Sequence, residues 1–205
     1  MDASIDLNGG ELVGADLSDA DLCRVGLQGA NLQGANLQGA NLVEASLEGA
    51  NLSGANLSGA EMEKANLIHT QLYGANLYGA NLYGAKLYGA NLASANLYRS
   101  ILDSALLHNC NLRGADLRKA SFSGATLGEA FLNDANLTGA HFWGANLIGA
   151  NLTGANLTGA NFWGANLIGA ELEGATLPEG IGRIDAWPAG VWPTTLWPEG
   201  YGPLS

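Results

Sequence analysis

Charge is scarce in this chain, and it leans one way. Eight Lys and Arg stand against nineteen Asp and Glu, a net charge of −11 with only 13% of residues charged. That balance argues against direct binding of nucleic acid, whose phosphates call for a dense basic surface. Apolar runs are short as well: none reaches the roughly 18 residues of a membrane-spanning helix, so no membrane span is expected. The N-terminus, MDASIDLNGG, lacks the basic and apolar stretches of a signal peptide, which makes the cytoplasm the expected compartment. Only two cysteines and five prolines occur, and all the prolines lie at or beyond position 178.

What the chain has instead is repetition. From Leu7 to Leu177 every fifth residue is Leu, Met or Phe, without insertion, giving 35 units of the form A-N-L-x-G such as Ala30-Asn31-Leu32-Gln33-Gly34. Two residues before these centres, 29 of 35 positions are alanine, so a second small apolar position repeats with them. A helix would rotate residues five apart by about 140° and smear the leucines around its surface. A straight strand would put odd spacings on opposite faces. The pattern closes only if each unit turns a corner, so that four units make a square coil of 20 residues. Centre and alanine then point inward and the other three positions outward, with Gly or Asn at the corner to accept a left-handed backbone.

The departures from leucine support a period of 20. Met62, Phe122, Phe142 and Phe162 all share one column modulo 20, an outcome with a chance of about 1 in 64 if the four columns are equivalent. The three phenylalanines are expected to stack inside at strand spacing, ~4.8 Å. The segment 141–160 also recurs as 161–180 with 13 of 20 positions identical, which favours the 20-residue coil as the duplicated unit.

These A-N-L-x-G units resemble the pentapeptide repeat family over about positions 5–179. The resemblance implies an all-β fold, a right-handed quadrilateral parallel β-helix of just under nine 20-residue coils. We therefore read residues 1–179 as one β-solenoid and 180–205 as a Trp/Pro-rich tail that caps it. Within that frame Cys110 occupies an alanine position and points in, while Cys23 follows a centre and points out. They lie more than four coils apart, roughly 20 Å, too far for a disulfide.

No catalytic, cofactor-binding or metal-binding constellation emerges. His69, His108 and His141 occupy outward positions in different columns or distant coils, which leaves no shared metal site. Thr70 and Ser100 replace alanine and have no His–Asp pair to activate them; their hydroxyls are expected to satisfy nearby backbone. The glycines are periodic corners, not a phosphate-binding loop between strand and helix. The chain is read as a non-enzyme without cofactors.

Three surface features rise above the repeat. Asp2, Asp6, Glu11, Asp16, Asp19 and Asp21 make the first coil acidic, which discourages end-to-end stacking of an open sheet edge. In mid-solenoid, Tyr78, Tyr98 and Arg118 share one column with Arg99 and Lys119 in the next, while Tyr73, Tyr83 and Tyr88 complete a tyrosine girdle. This surface suits an anionic or protein partner. The preferred reading is cross-coil packing, with the charges offset by Asp103 and Asp116. Nearer the C-terminus, Trp143 and Trp163 stack in one outward column and Ile148 and Ile168 on the neighbouring face, an exposed apolar group of the kind that marks an interface. Trp187, Trp192 and Trp197 keep the register of the leucine centres, each followed by proline, and are expected to end the solenoid as a cap. If the cap covers only the end, the Trp–Ile group is a candidate homodimer surface.

The leading functional reading is a structural or protein-interaction scaffold of unidentified partner, as the leucine-centred type common in photosynthetic bacteria suggests. The alternative implied by the resemblance is a DNA-mimicking modulator of DNA gyrase or another type II topoisomerase. The scattered acids beyond residue 21 and the basic midsection imitate a phosphate ladder poorly. Ice binding is discounted, because outward threonines are few and only Thr138 and Thr158 stack.

Overall fold

The computed structural model describes residues 6–178, and within them there is no helix. Every unit contributes one bridge residue and one tight turn. Each bridge pairs residue i with i+20 in parallel register, unbroken from Asp6↔Gly26 to Asn156↔Thr176. The chain is therefore a four-sided solenoid with the period expected from the phenylalanine column. Four faces follow in chain order: the first centred on Leu7, Leu27 and onward, the second on Leu12, the third on Leu17 and the fourth on Leu22.

The unit Asn51–Ala55 shows why these residue types form this coil. Leu52 and Gly54 donate their amides forward to Gln71 O at 2.7 Å and Tyr73 O at 2.9 Å. Asn51 donates back to Ala30 O at 2.9 Å, and Ala55 closes the turn onto Leu52 O at 3.0 Å. One amide is left over, that of Ser53, and the Asn51 side chain accepts it through Oδ1 at 3.1 Å. Asn51 Nδ2 then donates to Asn31 Oδ1 one coil earlier, at 3.3 Å. All five N–H groups of the unit are satisfied, as a solenoid with no flanking elements requires. The asparagine position, which spacing assigns to the exterior, is for this reason mostly half-buried.

The turn has its positive φ at the third of four residues, the pattern of a type II turn. Gly is the commonest residue there, as expected, but other residue types take the same conformation. Twelve non-glycine residues adopt φ between 55° and 60°, among them Asp19, Arg24, Glu44, Lys64, His69, Arg99 and Lys119. Their side chains lean toward the next coil, where eight of the twelve meet a glycine, as His69 meets Gly89 and Asp134 meets Gly154. Cross-coil bonding offsets the strain, of order 1 kcal/mol for each such residue.

The centres from Leu22 to Leu172 and the alanines between them form one continuous core. Burial of a leucine contributes roughly 1.5–3 kcal/mol before ordering entropy is counted. Phe122, Phe142 and Phe162 stack inside it with centroids 4.9 and 4.7 Å apart and rings within 3° of parallel. In the alanine column Thr70 Oγ1 donates to Leu47 O and Ser100 Oγ to Leu97 O, both at 2.8 Å. Leu7, Leu12 and Leu17 are only partly buried, since the first coil has no described coil before it. Asp2 and the proposed cap residues Trp187, Trp192 and Trp197 lie outside the described residues.

Candidate functional site

Two surfaces gather the residues singled out in the sequence. The mid-solenoid surface lies on the third face. Tyr78 and Tyr98 are neighbours across one coil, with ring centroids 5.7 Å apart. The guanidinium carbons of Arg99 and Arg118 each lie 5.2 Å from the Tyr98 centroid, so one ring orients two cations. Arg118 is also held from below: Nε and Nη2 donate to the two carboxylate oxygens of Asp116 at 2.8 and 2.6 Å. The hydrogen bond from Arg118 keeps the Asp116 carboxyl below the usual carboxylate range, and the same pair raises Arg118 further. Asp103 does not offset these charges, contrary to expectation. It sits on the fourth face, where Oδ1 accepts Ser121 Oγ at 2.5 Å and the Ser123 amide at 2.8 Å. The reason is local: Ser121 cannot supply the asparagine acceptor of its unit, so a carboxylate from the preceding coil takes that role. Lys119 stands beside Arg118 at an exposed corner, and the tyrosine girdle presents one ring per face, with Tyr73, Tyr83 and Tyr88 exposed like Tyr78.

The second surface wraps the corner between the fourth and first faces. Trp143 and Trp163 stack with centroids 5.9 Å apart and planes within 2°, yet stand 56% and 68% exposed. Around the corner Ile148 and Ile168 are 41% and 37% exposed. Gly144 and Gly164 form the corner itself, leaving the indoles and isoleucines as the projecting groups. Sequence reasoning overlooked Ile101 and Phe131, which are exposed at asparagine positions. Their signal was present: an apolar residue in a slot that elsewhere completes a hydrogen-bond ladder.

Chemistry that would need clustered ligands or nucleophiles has no such arrangement among the described residues. His69 lies over Gly89, His108 stacks obliquely on Tyr88 at 6.4 Å, and His141 is exposed on another face. No group of three His, Cys, Asp or Glu side chains converges there. Cys110 is buried, which pushes its thiol pKa far up, and Cys23 is exposed. No helix among the described residues is long and apolar enough to cross a membrane.

The comparisons with known proteins agree with this architecture. The family model for pentapeptide repeats matches in eight copies, over residues 4–39, 40–79, 75–114, 100–144, 115–154 and 145–179. No curated protein matches the chain. Among solved structures, a trypsin-treated form of QnrB1, a plasmid-mediated fluoroquinolone resistance protein, aligns with a TM-score of 0.76 at 17% identity. That alignment covers 95% of this chain and 90% of QnrB1, and it is a likeness of fold. HetL is a pentapeptide repeat protein involved in heterocyst differentiation regulation from the cyanobacterium Nostoc sp. strain PCC 7120. It is 37% identical over 91% of this chain and 90% of its own, with a TM-score of 0.41. The chain belongs to the pentapeptide repeat family and has that family's right-handed four-sided β-helix fold.

Proposed function

We propose that this chain is a non-catalytic scaffold that docks a partner protein on the corner carrying Trp143, Trp163, Ile148 and Ile168. The observation that carries the reading is the exposed indole stack, because large apolar groups gathered on a rigid surface are the usual anchors of protein interfaces. The backbone hydrogen bonding behind the strip is regular, so a partner meets a preformed surface and little ordering entropy opposes binding. A Trp143→Ser/Trp163→Ser double variant tests it. Both indoles are outside the core, so the variant keeps its melting temperature and loses a partner that the wild type captures from its host. Capture of the same proteins by both forms rejects the strip as the docking site.

The likeness to a fluoroquinolone resistance protein keeps the topoisomerase reading in view as the alternative. Charge layout supports it weakly: in the described residues the acids concentrate in the first coil, and the third face is locally positive. Gyrase supercoiling assays with the purified chain are expected to show little or no inhibition. Potent inhibition at sub-micromolar protein would reverse the order of the two readings.

A further inference from the structure

The third face carries a second feature, independent of the tryptophan strip. Between Gly79 and Gly159 its outward positions hold three cations, Arg99, Arg118 and Lys119, and one acid, Asp116. Asp116 is engaged by Arg118, while Arg99 and Lys119 have no carboxylate partner among the described residues. The local balance is thus three positive charges against one negative, on a chain whose net charge is −11. The acids of the first coil do not cancel it. Asp19 and Arg99 share a column four coils apart, about 19 Å at strand spacing, beyond the ~8 Å Debye length of physiological salt.

The cations are also placed. Tyr98 is half-buried between the coils and holds two guanidinium groups at 5.2 Å on one ring, and the Asp116 fork fixes one of them further. An arginine oriented before binding loses less freedom when it meets a carboxylate. Arg99 and Lys119 lie on successive coils at the same corner, the Arg99 guanidinium over the Tyr98 ring and the Lys119 stem beside Gly139 of the following coil.

We propose that Arg99, Lys119 and Arg118, arranged around Tyr98, form a docking site for a short acidic segment of a partner protein. A brief run of Asp or Glu matches two or three cations confined to two coils. Duplex DNA, with a phosphate charge every ~1.7 Å, would extend from this small patch along a rod that is otherwise neutral or acidic, and repulsion would oppose it.

The test uses the full chain and a fluorescein-labelled hexaglutamate peptide, followed by fluorescence anisotropy at low and high salt. Binding is expected at low salt, falling as salt is added. The Arg99→Gln/Lys119→Gln variant should weaken it roughly five- to tenfold, the sum expected for two exposed charge contacts. Arg113→Gln, a cation on the second face, should leave it unchanged. Equal weakening by Arg113→Gln would mean a diffuse charge effect and overturn the site, as would a wild type that fails to bind the peptide. Duplex DNA that binds more tightly than the peptide through the same two residues would overturn the assignment to an acidic peptide. Salt-sensitive self-association in sedimentation, abolished by Arg99→Gln/Lys119→Gln, would reassign the site to the acidic first coil of a second copy.

Discussion

At the scale of the residue, asparagine carries more of this fold than its place in the repeat suggests. Asn76 Oδ1 accepts the Tyr78 amide and Asn96 Nδ2, while its own Nδ2 donates to Asn56 Oδ1 at 3.0 Å. Here the ladder has a direction, its carboxamides donating toward the N-terminus, and Asn151 departs from it by donating forward to Glu171. A carboxylate at this position accepts without donating, as Glu11, Asp16 and Asp21 do from Asn31, Asn36 and Asn41, and as Glu61 does from Asn81 within the rod. Asn76→Asp is expected to lower stability by about 1–2 kcal/mol, since it sets one acceptor against another. Asp16→Asn should change thermal melting little, and equal losses for the two would contradict a directional ladder. The alanine position is limited by volume instead. Ala80→Leu should cost about 1–3 kcal/mol through overpacking, more than Leu82→Met, and chemical denaturation gives the order.

At the scale of the element, the unit is a coil whose stability depends on the coils above and below. The phenylalanine column shows this coupling most directly. Phe142 has an aromatic neighbour on each side, and Phe122 has one. Phe142→Leu should therefore destabilise more than Phe122→Leu, by about one ring–ring contact of 0.5–1.5 kcal/mol. Identical losses in denaturant titrations would mean that the stack adds nothing beyond apolar burial. The same coupling governs corners: a side chain at positive φ leans over the following coil, so glycine there often reflects the preceding coil's residue.

At the scale of the whole molecule, a solenoid must prevent its end from pairing with another. The amides of Glu11, Asp16 and Asp21 have no backbone acceptor among the described residues, although the equivalent amides of Asn31, Asn36 and Asn41 donate to Gly10, Ala15 and Ala20. A negative charge stands beside each of these amides, and like charge along such an edge is expected to oppose its pairing with another. Replacing the three acids by Gln, Asn and Asn keeps the acceptors of the ladder and removes the charge. That variant is expected to self-associate end to end, visible as larger species in sedimentation velocity. A monomer unchanged from wild type would assign the acids to ladder termination alone.

The period, the inward column and the phenylalanine stack were legible in the amino-acid sequence, because a narrow core repeats its demand for the same volume at every turn and leaves it as a pattern. Cys110, Thr70 and Ser100 could be placed inside for the same reason. Three things needed the tertiary structure. Asn51 and its equivalents bond residues 20 positions away, so a slot that spacing marks as outward became half-buried. The cross-coil packing reading sets Asp103 against the basic residues, but its geometry turns it to Ser121 and Ser123 on another face. The convergence of Arg99 and Arg118 on one ring likewise depends on side-chain direction, which a column assignment does not contain. Repetition specifies which residues share a face; only packing between coils decides which of their polar atoms meet.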